Sequence, residues 1–379
     1  MGAWFRWMLR TTLAGSLLFG GVLSASVIGG TLPASAAGTY SASNQQFGVL
    51  SSGAHPVVPR FAIRRHSGPA SPVGSVSTSW TFSYSYLGTT YNETFIGTDP
   101  ASSAKGTATT VPVVIIPVKL VSGTFTADPM AKMANKKTAV AETVKSPIFK
   151  KSVDFVQGGT NIGKTQYIDA FQRASLWGTV TSHPKYHVLL GNPLVEPEQT
   201  LTVPAAYGSV GTPFGIPVIE ADINWYDNSI MPMLSALGVP TNALPIFVRT
   251  QSYLYDNTGC CIGGYHSTTI SNQPYADFTY IQSATTTFSE DVSALSHEIG
   301  EYVDDPFVNN YSSLCGIYEV GDPLEGTANF GNYPYAVGGF TYHLQDLVMP
   351  PYFGALSSTS VNGWSTFQGT PLSVCQNGA

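Results

Sequence analysis

The sequence predicts an α+β fold in which one helix packs against a mixed sheet, followed by a loop-rich C-terminal part. The β-branched run at residues 110–120 (TVPVVIIPVKL) is short enough for a buried strand. The alternating run at 275–284 (YADFTYIQSA) indicates a second strand and leads directly into the helical segment 287–306. After Asp322 the chain is aromatic, rich in glycine and short of helix formers, which predicts loops and small strands.

The other elements follow from local patterns along the chain. Aromatic and small polar residues alternate around Leu87-Gly88, which predicts a hairpin over 79–97. Helix formers and apolar residues at helical spacing predict helices within 134–151, 165–177 and 223–238, the last ending at a glycine suited to a C-cap. Further strands are predicted at 186–191, 200–208 and 244–255.

The composition is typical of an extracellular protein that is rich in strands and loops. Of the 379 residues 43% are hydrophobic, which is enough for a buried core, whereas only 11% are charged against the usual quarter. The net charge is −6, and basic residues cluster only at Arg60, Arg64 and Arg65. These values argue against a nucleic-acid partner.

The amino terminus predicts export. Arg6 and Arg10 precede an apolar stretch, and Ala34-Ser35-Ala36 has the small-x-small form of a cleavage site, so we interpret residues 1–36 as a signal peptide. An uncleaved membrane anchor is the alternative. Residues 37–75 are polar and dotted with proline, which indicates a flexible linker or propeptide-like arm. Residues 76–379 are then one domain, and no other stretch is long and apolar enough to span a membrane.

Four cysteines in an exported chain predict two disulfides. The adjacent pair Cys260-Cys261 could form a vicinal bridge, leaving Cys315 with Cys375, or each could pair with one of the distant cysteines. The sequence leaves these connectivities open.

The segment 287–306 (TFSEDVSALSHEIGEYVDDP) carries the most informative motif. Ser289 is expected to cap the helix and Pro306 to end it. His297 and Glu301 stand four residues apart and therefore share one helix face, opposite an apolar stripe. An exposed acidic helix is the alternative, but acidic residues at the negative end of a helix dipole are unfavourable unless a cation compensates them.

The chemistry of zinc explains this spacing. Two ligands one turn apart can bind one ion, and the carboxylate of Glu298 can then serve as the catalytic base, as in His-Glu-x-x-His with glutamate in place of the second histidine. A third ligand is expected downstream. Glu319 is the first choice, and Asp322 is either a ligand in its place or a residue that orients a ligand.

Two further histidines are candidates for the same site. His266, in the segment CCIGGYHS, could donate a hydrogen bond to an oxyanion and so take part in catalysis. His343, in FTYHLQD, is an alternative metal ligand. Each of these two histidines lies in a segment rich in glycine and aromatic residues, so each could instead be a structural residue whose ring nitrogens are hydrogen-bonded.

The segments ALSHEIGEYVDDPFVNN and YEVGDPL resemble a group of exported bacterial His-Glu-x-x-Glu proteins of unassigned function. They are more faintly similar to the plant exordium/phosphate-induced extracellular proteins. The similarity covers about residues 288–325. It implies a zincin-like metallopeptidase core, with His297, Glu298, Glu301, and Glu319 or Asp322 at the equivalent positions.

Together these observations predict a secreted zinc-dependent metallohydrolase, most simply a peptidase that acts on an extracellular polypeptide or cell-wall component. The alternative is a non-catalytic extracellular protein that binds carbohydrate or cell wall and holds a structural metal. Calcium would suit that alternative, because the segment offers many carboxylate oxygens.

Overall fold

The computed structural model describes residues 55–64, 78–282, 287–312, 314–355 and 360–375. All of them belong to one compact unit. The predicted signal peptide and most of the predicted linker lie outside the described residues. Within the described part of the chain, no helix is long and apolar enough to cross a membrane.

Strands dominate the described chain and fall into one five-stranded sheet, one seven-stranded sheet and several pairs. They are β1 Val57–Arg60, β2 Ser79–Tyr86, β3 Thr89–Ile96, β4 Ala108–Val111, β5 Val113–Ser122, β6 Phe125–Ala127, β7 Val153–Gln157, β8 Thr160–Thr165, β9 His187–Leu190, β10 Leu194–Val195, β11 Gln199–Thr202, β12 Gly208–Gly211, β13 Val218–Asp222, β14 Leu244–Thr250, β15 Ser252–Asp256, β16 Gly259–Ile262, β17 Gly264–Thr268, β18 Pro274–Tyr280, β19 Tyr311–Ser312, β20 Gly316–Ile317, β21 Asn332–Val337 and β22 Phe340–Gln345.

The described helices are few and mostly short. They are α1 Ala139–Lys145, α2 Tyr167–Ser175, α3 Trp177–Val180, α4 Ile223–Ala236 and α5 Ser293–Asp304. Short 3₁₀ turns lie at Thr287–Ser289, Asp322–Leu324, Ala328–Gly331, Pro350–Phe353 and Val361–Gly363.

The seven-stranded sheet follows the order β10-β5-β14-β18-β17, with β6 and β11 also paired to β5. The strands β5, β14 and β18 run parallel, whereas the edge strand β17 is antiparallel to β18. The five-stranded sheet has the order β1-β16-β15-β13-β12. The strand pairs are β2-β3, β4-β9, β7-β8, β19-β20 and β21-β22.

Both faces of the seven-stranded sheet are buried, as its apolar sequences require. Successive residues of β5 point to opposite faces, so Val113 and Ile115 join one hydrophobic cluster while Val114 and Ile116 join the other. The apolar residues of α5 belong to the first cluster, and those of α4 belong to the second. Helix α5 packs on β17 and β18 and is thereby held against the sheet's antiparallel edge.

The predicted zincin-like core is wrong. The described part of the chain is mostly β, with several small sheets and few helices, and this does not fit a core organised around helices. The reason lies in the many short β-branched and aromatic runs, such as those at 79–96 and 332–345, which form hairpins of their own rather than extending one sheet. The hairpin over 79–97 and the buried strand within 110–120 were predicted correctly.

Residues 55–64 belong to the segment that the sequence suggested as a linker or propeptide-like arm, and they are built into the fold. Strand β1 pairs in parallel with β16, and His55 stacks on Tyr255 at 3.9 Å between ring centroids. Arg60 forms an ion pair with Asp256 at 2.5 Å. We call residues 55–64 the N-terminal arm.

The four cysteines form two disulfides, Cys260–Cys261 and Cys315–Cys375. The vicinal pair lies within β16, in the middle of the core, whereas the second bridge ties the last described residues to the segment after α5. The structure thus selects one of the connectivities that the sequence left open.

We expect replacement of Cys375 with serine to lower the free energy of unfolding by about 3–4 kcal/mol, because Cys315–Cys375 closes a loop of 60 residues and restricts the unfolded chain. Urea unfolding under oxidising conditions would measure the change. The double variant Cys315→Ser/Cys375→Ser should match the single variant, and a larger loss in the double variant would show that Cys315 stabilises the fold by packing instead.

Candidate metal centre

Helix α5 begins at Ser293, three residues later than the sequence predicted, and the expected cap at Ser289 is wrong. Asp291 interrupts the helical path with a φ of 43°. Its carboxylate accepts hydrogen bonds from the backbone N–H groups of Val292 and His343 and contacts His343 Nδ1 at 2.7 Å. This tertiary contact therefore overrides the local capping signal.

Every residue of α5 is buried, so the helix has no exposed polar face. The sequence suggested an apolar stripe opposite an open His/Glu face, but other segments cover that face as well. Gly300 allows one of them to approach, because a Cβ there would lie 2.5 Å from Leu347 Cδ1. The carboxylates and imidazoles of α5 consequently lie in a protein interior, where an uncompensated charge is costly.

One group of potential ligands joins His297, Glu301 and Asp322. His297 Nε2 lies 2.9 Å from Glu301 Oε1 and 3.4 Å from Asp322 Oδ1. These spacings resemble the separation of about 3.3 Å expected between ligands of one tetrahedral zinc ion. The three donor atoms all lie within 4.8 Å of one another, so the group could hold a metal ion. Asp322 is the solvent-facing member, with 30% of its side chain exposed.

Gln345 fixes the orientation of His297, and Gly321 fixes that of Glu301. The Gln345 side-chain oxygen bonds to His297 Nδ1, which assigns the proton to that nitrogen and turns Nε2 toward Glu301. Gln345 is itself held by Ser296 Oγ, which accepts from its backbone N–H at 2.8 Å. Gly321 donates its N–H to Glu301 Oε1 at 3.2 Å. The segment after α5 and β22 therefore position both ligands of the helix.

A second group shares Glu301 with the first. On β17, His266 Nδ1 lies 3.2 Å from Glu301 Oε2 and 3.7 Å from Glu298 Oε2, and these three residues also could hold a metal ion. His266 Nε2 bonds to the backbone oxygen of Asp305 at 3.0 Å, which leaves Nδ1 as the nitrogen that faces the carboxylates. The two oxygens of Glu301 thus face different histidines.

Several buried atoms of this centre that could ligate a metal have no hydrogen-bond partner in the described part of the chain. They are His266 Nδ1, His297 Nε2 and both carboxylate oxygens of Glu298 and of Glu319. The distance of 2.9 Å between His297 Nε2 and Glu301 Oε1 suits a hydrogen bond, but the angle does not. Ligand atoms that lie close together but are not aligned for hydrogen bonds are the arrangement expected when a cation binds between them.

Burial and mutual charge determine the protonation of the centre. Burial raises the pKa of Glu298 to about 8, although the imidazoles of His266 and His297 oppose the shift. Burial also opposes ionisation of Glu301, but the same imidazoles outweigh it and lower the pKa of that carboxyl to about 2.

For the two histidines, burial favours the neutral ring, but the surrounding carboxylates outweigh it and hold the pKa of each well above its usual value. In the metal-free protein a proton on each ring is therefore stabilised, and a divalent cation would compete with these protons.

The structure separates Glu319 and Asp322, which the sequence treated as alternatives. Asp322 lies beside His297, whereas Glu319 Oε2 lies 3.9 Å from His266 Nε2 and belongs to neither three-residue group. Burial, followed by the charge of Glu301, raises the pKa of Glu319 well above its usual value. His343 contacts Asp291 instead and also belongs to neither group.

Sequence reasoning missed three residues that surround the centre. Gln345 orients His297, the ring of Phe61 stacks on the His297 imidazole with 3.9 Å between centroids, and Glu325 accepts from Phe61 N–H. Gln345 lies two residues after His343, in the segment FTYHLQD, in which the sequence pointed to His343 as the candidate ligand. For Phe61 the sequence offers no signal, because it lies 236 positions before His297 (297 − 61).

Replacing Gly321 with alanine is expected to displace the His297 ring, because the new Cβ would lie 2.2 Å from His297 Nδ1. The backbone at Gly321, with φ −95° and ψ −36°, suits alanine, so the effect is purely steric. We expect a loss of about 1–3 kcal/mol in the free energy of unfolding. Gly326→Ala is the matched control, because no atom of the described residues lies within 4 Å of the new Cβ, and equal stability of the two variants would contradict the described packing.

No protein-family model, no curated protein and no solved structure matches this chain. The resemblance of residues 288–325 to exported His-Glu-x-x-Glu proteins therefore stays a prediction. Functional inference accordingly depends on the geometry of the centre itself.

Proposed function

We propose that this chain is a secreted zinc-dependent metallohydrolase, with a polypeptide as its substrate. The observation that carries the proposal is the convergence of His297, Glu301 and Asp322, whose donor atoms are close together yet not aligned for hydrogen bonds. The predicted signal peptide and the two disulfides support an extracellular location.

The donor set favours zinc over calcium. Each candidate group contains an imidazole nitrogen, which suits zinc, whereas calcium takes six to eight oxygen ligands. Asp322 is the member of the first group that solvent reaches, so it lies on the side from which water and substrate would approach. Zinc, when bound, would supply a Lewis acid that polarises a substrate carbonyl.

Glu298 is assigned the role of general base. It follows His297 directly, neither of its oxygens has a hydrogen-bond partner in the described chain, and burial raises its pKa, which makes its carboxylate a stronger base. Its carboxylate would accept the proton of the attacking water and pass it to the leaving amine. His266 Nδ1, at 3.7 Å, would hold this carboxylate in position.

The alternative is a non-catalytic extracellular protein in which the same residues hold a structural metal. Complete burial of Glu298 favours it, since a base that solvent cannot reach cannot act on a substrate. The two functions differ in their need for zinc and in their sensitivity to Glu298.

We expect zinc to stabilise the purified, chelator-treated protein, and calcium to have little effect. At a free zinc concentration of 100 times Kd, binding to the native state adds about 2.7 kcal/mol to the free energy of unfolding. Thermal unfolding with each ion, and hydrolysis of an unstructured polypeptide such as labelled casein, would be measured on the same sample. Stabilisation by calcium alone, without hydrolysis, would favour the structural-metal protein.

A further inference from the structure

We propose that the N-terminal arm, residues 55–64, is an intramolecular inhibitor that lies across the candidate metal centre in the manner of an extended polypeptide substrate. The proposal rests on the proposed function, because it concerns the regulation of the same site. It assigns a role to a segment that the hydrolytic chemistry does not use.

The arm lies along a strand edge in extended conformation. Strand β1 pairs with β16, and the Gly263 N–H then donates to the Arg60 carbonyl at 2.9 Å. The Ala62 N–H donates to the Gly264 carbonyl at 3.2 Å, on β17. Because β17 pairs with β18 through its other edge, the arm covers the edge that an added strand would use. Main-chain pairing of this kind binds extended peptides with little dependence on their sequence.

Phe61 places the arm directly on the centre. Its ring stacks on the His297 imidazole at 3.9 Å, and its N–H donates to Glu325 Oε1 at 2.5 Å. Only 6% of Phe61 is exposed, so the ring fills its position rather than lying loosely over it. A large aromatic side chain therefore occupies space beside the first group of ligands.

The arm also covers the side of the centre that contains the base. Gly264, which accepts the hydrogen bond from Ala62, lies so close to Glu298 that a Cβ would be 2.7 Å from its Oε1. The arm therefore lies one residue away from Glu298 and in contact with His297.

Charge holds the arm against the protein at two positions that flank Phe61. Arg60 pairs with Asp256 at 2.5 Å, and Arg64 pairs with Asp227 at 3.2 Å. The Ser267 hydroxyl also donates to the Arg64 carbonyl at 2.9 Å. None of these contacts is covalent, and displacement of the arm would break only the edge pairing of β1 with β16, leaving β16-β15-β13-β12 paired.

The test compares full-length protein with the variants Phe61→Asp and Phe61→Ala. An aspartate here would remove the ring that stacks on His297 and would bury a charged group at a position that is only 6% exposed, which disfavours the docked arm. Val58→Ala is the matched control, because Val58 is on the same arm but 45% exposed. Access to the centre is read in metal-free protein from the rate at which diethyl pyrocarbonate labels His297, measured by peptide mass spectrometry. Hydrolysis of labelled casein is read separately in zinc-loaded protein.

Phe61→Asp is expected to raise the labelling rate of His297 by about tenfold or more, in proportion to the fraction of molecules with a displaced arm. Phe61→Ala should give a smaller increase and Val58→Ala none. The synthetic peptide HPVVPRFAIR, which is the arm itself, should restore protection to Phe61→Asp when added in excess, and its Phe→Ala analogue should not.

The two readouts separate the two proposals. Unchanged labelling in both Phe61 variants overturns the inhibitory arm, whatever the hydrolysis shows. Faster labelling that the peptide reverses supports the arm, and if zinc-loaded Phe61→Asp then fails to hydrolyse polypeptide, the hydrolase proposal falls while the arm stands. Hydrolysis that is equal in wild type and variants, with equal labelling, leaves the hydrolase and removes the arm.

Discussion

Replacing Glu298 with glutamine is expected to lower the rate of polypeptide hydrolysis by about 10²–10⁴-fold, the usual contribution of a general acid–base group. Glutamine has nearly the same shape but cannot accept a proton at neutral pH. The loss should appear in kcat, because Glu298 belongs to neither ligand pair around His297 Nε2. Zinc binding and thermal stability should be largely retained.

The control for this variant is Glu196→Gln, which removes a carboxylate that lies outside both candidate groups. Steady-state hydrolysis of labelled casein and zinc content would be compared in parallel. If Glu298→Gln keeps its activity, Glu298 is not the base. If it loses zinc as well as activity, Glu298 is a ligand, in line with its place beside His266 in the second group.

Replacing Glu301 with glutamine is expected to have the largest effect on both metal binding and stability. Glu301 is shared by the two groups, with Oε1 at 2.9 Å from His297 Nε2 and Oε2 at 3.2 Å from His266 Nδ1. Its pKa of about 2 shows how strongly the two imidazoles favour the carboxylate. Removal of one partner from a buried ion pair costs about 3–5 kcal/mol, because the other charges are left uncompensated.

The comparison variant is Asp322→Asn. Asp322 contacts the same nitrogen of His297 but is 30% exposed, so water can replace part of what is lost. Urea unfolding of the metal-free proteins and zinc titration of each would measure the two effects. We expect Glu301→Gln to be the less stable variant and both to bind zinc more weakly than wild type. Equal free energies of unfolding of the two variants would mean that the positive charge of the imidazoles does not depend on Glu301 for its compensation.

Much of the secondary structure could be predicted from local pattern. The hairpin at 79–96, the buried strand β5 and helix α4, with Gly238 after its end, each follow from periodicity and from turn residues within a few positions. The start of α5 could not be predicted in this way. It is decided by Asp291, whose carboxylate contacts His343, 52 residues further along the chain.

The assembly of the sheets was also beyond local pattern. Strand β5 pairs with β14 and β14 with β18, so neighbours in the sheet are far apart in sequence. Many short runs of similar β propensity offer alternative pairings, and only the burial of both faces selects among them. The same limit explains why the zincin-like core, inferred from about 38 residues (288–325), did not extend to the whole chain.

The sequence by itself determined that His297 and Glu301 lie one turn apart with Glu298 between them, because helix geometry sets the positions of residues four apart. Tertiary structure alone decided that Asp322 rather than Glu319 stands beside His297, that Gln345 and the Asp305 carbonyl orient the two imidazoles, and that Phe61 stacks on His297. The two kinds of feature differ in how far apart in the sequence the contacting residues lie. Covalent geometry sets the distances between residues that are close in the sequence. The contacts of Gly321 with Glu301, 20 positions apart, and of Phe61 with His297, 236 positions apart, depend on how the sheets pack.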